Sequence, residues 1–151
     1  MKVLFVASGN KNDKPGAVVL NQALSIQNEG VSVDFFLIKR TGLIGYLRNI
    51  TPLSRYIRLT KPQIIHAHYS LSAIVASFAA LLSKRKPLVV SFMGSDAHLK
   101  GFYRIVVKVF YRTLWSKAIV KSEEMRDKLS LNNAIVIPNG VDLKSINSIG
   151  K

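Results

Sequence analysis

Two stretches of the 151-residue sequence join a short apolar run to an abrupt polar end: Gln63-Ile64-Ile65-His66-Ala67-His68-Tyr69-Ser70 and Pro87-Leu88-Val89-Val90-Ser91-Phe92-Met93-Gly94-Ser95-Asp96. Apolar runs this short, rich in β-branched residues, read as strands buried on both faces. In open α/β sheets ligands bind outside the carboxyl ends of such strands, so Met93 to Asp96 is expected to floor a binding cleft. Gly94 allows a turn, and Ser95 and Asp96 suit the N-cap of whatever helix follows. His66 and His68, two apart on a strand, point the same way. As metal ligands they would need further donors, and only His98 remains in a chain without cysteine, so no metal site is expected. A structural role for His66 and a cleft-facing role for His68 fit better.

The loop Ser8-Gly9-Asn10-Lys11-Asn12-Asp13-Lys14-Pro15-Gly16 follows a first apolar run, Lys2 to Ala7. A loop between a first strand and a helix can hold phosphates on backbone N–H groups, with Gly9, Asn10 and Gly16 as candidates. The pattern contains neither G-x-G-x-x-G nor a Walker lysine, and a plain surface loop fits the same residues. Asp13 is placed to cap the helix and Pro15 to enter its first turn. Ala17, Leu20 and Leu24 give helical spacing, and Gly30 closes the helix before a second strand, Val31 to Leu37.

Further elements alternate along the chain. Leu43 to Thr60 reads as two short helices, the second started by Thr51-Pro52, with Leu43, Tyr46, Leu47, Ile50, Leu53 and Ile57 as apolar positions. Ser70 to Ser83 is apolar nearly all round, as in a helix packed on a sheet. Lys84-Arg85-Lys86 then favours the negative end of that helix. In Phe102 to Lys117, the residues Phe102, Val106, Val109 and Phe110 form an apolar stripe, opposite Arg104, Lys108 and Arg112 with Tyr111 and Trp115 beside them. Short strands follow at Ala118 to Lys121 and Ala134 to Ile137. Between them lies a helix capped by Ser122, with Glu123 and Glu124 at the positive end of its dipole. Alternating strands and helices imply an α/β domain with a parallel sheet covered on both faces. Residues 1–142 form that Rossmann-like three-layer domain, and 143–151 read as a polar linker or tail.

Hydrophobic content of 48% supports a full core. The lack of cysteine removes structural disulfides and suits a reducing, cytoplasmic setting. The first apolar run is too short for a signal peptide, and the longest uncharged run, Tyr69 to Ser83, is shorter than the roughly 20 residues that span a bilayer. The net charge of +14 favours an anionic partner. The basic, aromatic-containing helices suit an anionic membrane surface, such as the inner face of the cytoplasmic membrane, although a solvated helix face fits them as well. No helix-turn-helix, RNP or zinc motif accompanies the charge, which argues against nucleic acid.

Four motifs recur in a known order: Ile65-His66-Ala67-His68-Tyr69, Val89 to Asp96, Ile119-Val120-Lys121-Ser122-Glu123-Glu124-Met125-Arg126-Asp127-Lys128-Leu129, and Ile137-Pro138-Asn139-Gly140-Val141-Asp142. Together the set resembles the N-terminal domain of retaining, family-four-like glycosyltransferases of the GT-B fold. The resemblance implies a sugar acceptor, sugar or lipid-linked, held by this domain. It implies a nucleotide-sugar co-substrate and a second domain bearing a pair of glutamates seven residues apart, and it implies no further cofactor. The loop Ser8 to Gly16 would face donor phosphates and acceptor. Asp96 and His68 are the implied catalytic candidates, and Gly94, Ser95, His98 and Ser70 would line the acceptor. Ser122, Glu123, Asn139 and Gly140 would lie toward the second domain. Many relatives carry a histidine where this chain has Met93, whose thioether moves no proton. The alternative is a stand-alone, non-catalytic module that binds an anionic ligand or a membrane.

Overall fold

The protein is described by a computed structural model covering residues 1–9, 13–39, 42–84, 86–98 and 100–140. Six parallel strands form one sheet: β1 (Lys2–Ser8), β2 (Ser32–Ile38), β3 (Ile64–His68), β4 (Leu88–Ser91), β5 (Lys117–Val120) and β6 (Ile135–Val136), in the order β2-β1-β3-β4-β5-β6. The chain leaves β1 in one direction and returns past it to β3. Connections therefore diverge between β1 and β3, the place where open sheets form a crevice. The helices are α1 (Ala17–Asn28), α2 (Gly42–Leu47), α3 (Ile50–Thr60), α4 (Ser70–Leu82), α5 (Gly101–Thr113) and α6 (Glu123–Leu129).

Strand alternation divides the core in two. Val3, Phe5 and Ala7 pack with Val19 and Ala23 of α1. Leu4 and Val6 face the other way and join Leu53 and Ile57 of α3, most of α4, Val107 of α5 and Met125 of α6. The layers are thus unequal: among the described residues α1 is the one helix on one face, and the other helices cover the opposite face. Helix α4 packs with most of its circumference buried, as its sequence implies.

Several local expectations are corrected. Gly16, in extended conformation, takes the N-cap position of α1, and among the described residues no side chain caps that end. Asp13 instead pairs with Lys39 at 3.2 Å. Pro15 and Gly16 hold the chain extended until Ala17, so the helix begins beyond the reach of Asp13. Its buried positions are Val19 and Ala23, not Ala17, Leu20 and Leu24. Asn49, not Thr51, precedes α3, and its amide donates back to Gly45 O at 2.7 Å. Beyond β4 the chain makes a single 3-10 turn, Gly94–His98, and α5 starts only after Lys100, so Ser95 and Asp96 do not cap it.

The phase of α5 also differs. Val107 is its buried residue, with Tyr103, Phe110, Tyr111 and Leu114 packed beside it, while Phe102 and Val109 face outward. Apolar residues occur on nearly every side of this segment, so periodicity alone cannot select its inner face. Arg104 is not part of an outward row: its guanidinium donates to Lys128 O and to Ser130 Oγ at 3.0 Å. Trp115 is buried in the core, with Nε1 donating to Ser77 Oγ at 2.9 Å.

Burial predicts very different costs for two leucines on α3. Leu53 is 0% exposed and Leu59 is 81% exposed. Leu53→Ala should lower unfolding free energy by about 2–5 kcal/mol. Leu59→Ala should stay within about 0.5 kcal/mol of the parent. Urea unfolding followed by circular dichroism checks both, and similar midpoints for the two variants would contradict this packing.

Candidate functional site

The carboxyl ends of β1, β3 and β4 bring Gly9, Tyr69 and Met93 to one edge of the sheet. The edge is organised by Asp96, which is 0% exposed. Its Oδ2 accepts from Met93 N at 2.7 Å, and its Oδ1 accepts from Ser70 N at 3.2 Å and Ser70 Oγ at 2.5 Å. Asp96 therefore caps α4 from another segment, satisfying N–H groups that a helix start leaves open. With Ser70 Oγ donating to the carboxylate, the hydroxyl of Tyr103 donates to Ser70 Oγ across 2.9 Å. Burial pushes the Asp96 carboxyl above its ordinary range; the bonds from Ser70 and Met93 pull the other way but do not cancel it. Ser70 is fully buried as well. Neither side chain presents a free polar atom to the edge, so the geometry makes Asp96 a positioning residue for the Met93–Gly94 backbone.

His68 is buried too, contrary to the cleft-facing expectation. Its ring stacks on His66 at 4.4 Å and lies 4.6 Å from Phe5. Neither ring nitrogen has a hydrogen-bond partner. Burial first, then His66 and Lys121, lower its pKa to about 2. His66 shares a 2.8 Å hydrogen bond with Ser91 Oγ, and burial followed by Lys121 lowers its pKa to about 4. Both imidazoles are neutral near pH 7. Among the described residues no cluster of histidine and carboxylate groups could hold a metal ion.

The remaining candidates separate in space. Gly94, Ser95 and His98 are exposed in the turn after β4, and Gly94 has open space where a side chain would sit. Gly9 follows β1 with its N–H bonded to Ile38 O at 2.9 Å, so that donor is not available to a phosphate. A Cβ on Gly9 would lie 3.3 Å from the same oxygen, which explains the small residue there. Gly16 leads into the start of α1, whose first N–H groups have no side-chain partner among the described residues. Asn10 lies outside the described residues. Ser122 caps α6 by accepting from Met125 N at 3.2 Å, and Glu123 pairs with Arg126. Asn139 and Gly140 are exposed beyond β6, while Val141, Asp142 and the tail 143–151 lie outside the described residues.

Sequence reasoning missed a cluster of tyrosines around Asp96. Tyr69 has φ 80° and ψ 141°, a conformation that costs an ordinary residue about 1–3 kcal/mol. The chain must turn there so that Ser70 N–H reaches Asp96. Burial raises the Tyr69 pKa, with Asp96 and Tyr46 contributing, and burial pushes Tyr103 up as well. An unexpected cavity of about 440 Å3 lies at the opposite, amino end of β4, lined by residues including Leu81, Lys86, Arg112 and Trp115. Lys86 and Arg112 there stand near the carboxyl ends of α4 and α5, where the helix dipoles already favour cations.

Two measurements test this geometry. Asp96→Ala leaves the N–H groups of Ser70 and Met93 without a buried partner and should cost about 2–5 kcal/mol in equilibrium unfolding; a loss below about 0.5 kcal/mol would contradict the clamp. The histidines have folded pKa values below the ordinary 6.5, so the unfolded chain binds more protons below that pH. Stability is therefore present above pH 6.5 and lost as pH falls toward 4, by up to about 1.4 kcal/mol per pH unit for each histidine. Replacing both by Phe should flatten that slope in urea titrations between these pH values.

The sequence matches the Glycosyltransferase Family 4 over residues 2–145. No curated protein matches it. Among solved structures, the HepE protein of Anabaena in complex with UDP-glucose is 18% identical with a TM-score of 0.67, over 95% of this chain and 45% of that one. The lipopolysaccharide outer core galactosyltransferase WaaB is 14% identical with a TM-score of 0.74, over 96% and 47%. MurG of Acinetobacter baumannii is 13% identical with a TM-score of 0.60, over 96% and 48%. The chain thus spans about half the length of these structures, and its parallel sheet corresponds to one half of the GT-B fold. The chain belongs to glycosyltransferase family 4.

Proposed function

We propose that this chain is the acceptor-side half of a glycosyltransferase that moves a sugar from a nucleotide-sugar to a sugar or lipid-linked acceptor. The observation that carries the reading is the family match over residues 2–145 of a chain spanning under half of its solved relatives. The nucleotide-sugar site and the paired glutamates belong, in this reading, to a second domain that closes over the crevice. A cytoplasmic setting follows from the use of a nucleotide-sugar, and a role in building a surface polysaccharide or glycolipid from a lipid-linked acceptor.

Within this half, Gly94 and Ser95 form the accessible floor, His98 and Tyr69 its rim, and Asp96 the clamp that fixes the floor. The uncapped start of α1 offers N–H groups to an anionic oxygen. Met93 supplies no proton chemistry, so catalysis rests on positioning the acceptor and on stabilising the departing phosphate. Those stabilising groups come largely from the second domain.

The isolated chain should therefore transfer no sugar. Incubation with several labelled nucleotide-sugars and membrane lipid extracts checks this. Labelled product above an enzyme-free blank would overturn the half-enzyme reading. Gly94→Trp should fill the open floor without loss of stability and abolish binding of sugar-phosphate acceptors measured by calorimetry. Unchanged acceptor binding in that variant would move the site elsewhere.

A further inference from the structure

The net charge of +14 resides entirely in residues 35–122. This span holds fifteen of the 22 Lys and Arg residues but one of the eight Asp and Glu residues, while the rest of the chain holds seven of each sign. The single acid is the buried Asp96. Helices α2, α3, α4 and α5 all fall in this span and all lie on the sheet face opposite α1. They expose no acidic side chain. Among the described residues only Lys39, which precedes α2, has a carboxylate partner within the span, and no cation on these four helices has one.

The same layer is apolar outside as well as inside. Among the described residues, ten of the sixteen exposed large hydrophobic side chains lie on these four helices. On α5, Phe102, Ile105 and Val109 are 79%, 61% and 53% exposed at i, i+3 and i+7, which forms a stripe. Lys100, Lys108 and Arg112 flank it. Phe110 meets Phe78 edge-on at 5.5 Å, which carries the surface over to Phe78, Leu81 and Leu82 of α4. A cationic surface bearing outward aromatic and aliphatic side chains, with the exposed acids of the layer confined to neighbouring α6 and paired there with Arg126 and Lys128, matches an interface of anionic headgroups over acyl chains. Nucleic acid would use the cations but leave the apolar stripe in water.

We propose that the α2–α5 layer docks on an anionic lipid bilayer, with Phe102, Ile105 and Val109 entering the acyl boundary and Lys100, Lys108 and Arg112 at headgroup level. Binding is read without sugar transfer, so the proposal stands or falls apart from the half-enzyme reading. The test is co-sedimentation of the whole chain with phosphatidylcholine vesicles containing or lacking phosphatidylglycerol. Anionic vesicles should bind at least about tenfold better, with loss of binding at high salt. Combined Lys100→Gln, Lys108→Gln and Arg112→Gln should weaken binding on the order of a hundredfold, at about fivefold per cation. Combined Phe102→Ser, Ile105→Ser and Val109→Ser should weaken it about tenfold or more.

Matched replacements on α1, Val18→Ser, Leu20→Ser and Leu24→Ser, should leave it unchanged. Thermal unfolding of each variant establishes that it is folded. An environment-sensitive dye on Ile105→Cys, in a chain with no native cysteine, should shift blue on anionic vesicles, and the same dye on Leu24→Cys should not. Equal binding to neutral vesicles, equal loss in the α1 control, or no dye shift at position 105 would overturn the proposal. Competition by duplex DNA with no effect of the serine variants would overturn it in favour of a purely cationic surface.

Discussion

The carboxyl edge of the sheet depends on one buried carboxylate. Asp96 takes hydrogen bonds from Met93, just beyond β4, and from Ser70, the first residue of α4 and 26 residues before Asp96 in sequence. Without it, the start of α4 would expose uncapped N–H groups in the protein interior, and the turn Gly94–His98 would lose its anchor at Met93 N. The strained backbone of Tyr69 belongs to the same arrangement, because it delivers Ser70 to the carboxylate. A local cost is offset by a satisfied network, a pattern common at functional edges.

The unequal layers give the domain two different exteriors. Beyond α1, the sheet face carries the stacked, neutral pair His66 and His68 with Ser91 and Lys121 beside them. On the opposite face, helices α2 to α5 carry Arg55, Arg58, Arg104, Lys108 and Arg112 with no acid among them, and most of the outward apolar side chains of the described residues. Phe102, at the start of α5, follows the Gly94–His98 turn by a few residues, so the proposed lipid surface adjoins the crevice floor.

Much of the architecture was legible because strands buried on both faces leave an unambiguous apolar signature, as in Val3 to Ala7 and Leu88 to Val90. The cap at Ser122 was legible for the same local reason: donor and acceptor lie three residues apart. The role of Asp96 was not, since its partners Ser70 and Tyr103 are distant in sequence and an N-cap was the nearer explanation. Alternation placed His66 and His68 on one face but could not show Phe5 closing over them. The phase of α5 was lost because Phe102, Tyr103, Ile105, Val107, Val109 and Phe110 put apolar groups on most of its circumference. The conformation of Tyr69 had no signal, because such a turn ordinarily selects glycine.

The central claim is that Asp96 is a buried clamp rather than a group facing ligand. Titration followed by NMR, reading the Asp96 carboxyl carbon together with the amide protons of Met93 and Ser70, tests it directly. The account predicts that all three signals move in one transition above the ordinary aspartate range, with both amides protected from exchange. An Asp96 carboxyl titrating at or below the ordinary value, with Met93 and Ser70 amides exchanging freely and unaffected by it, would contradict the account.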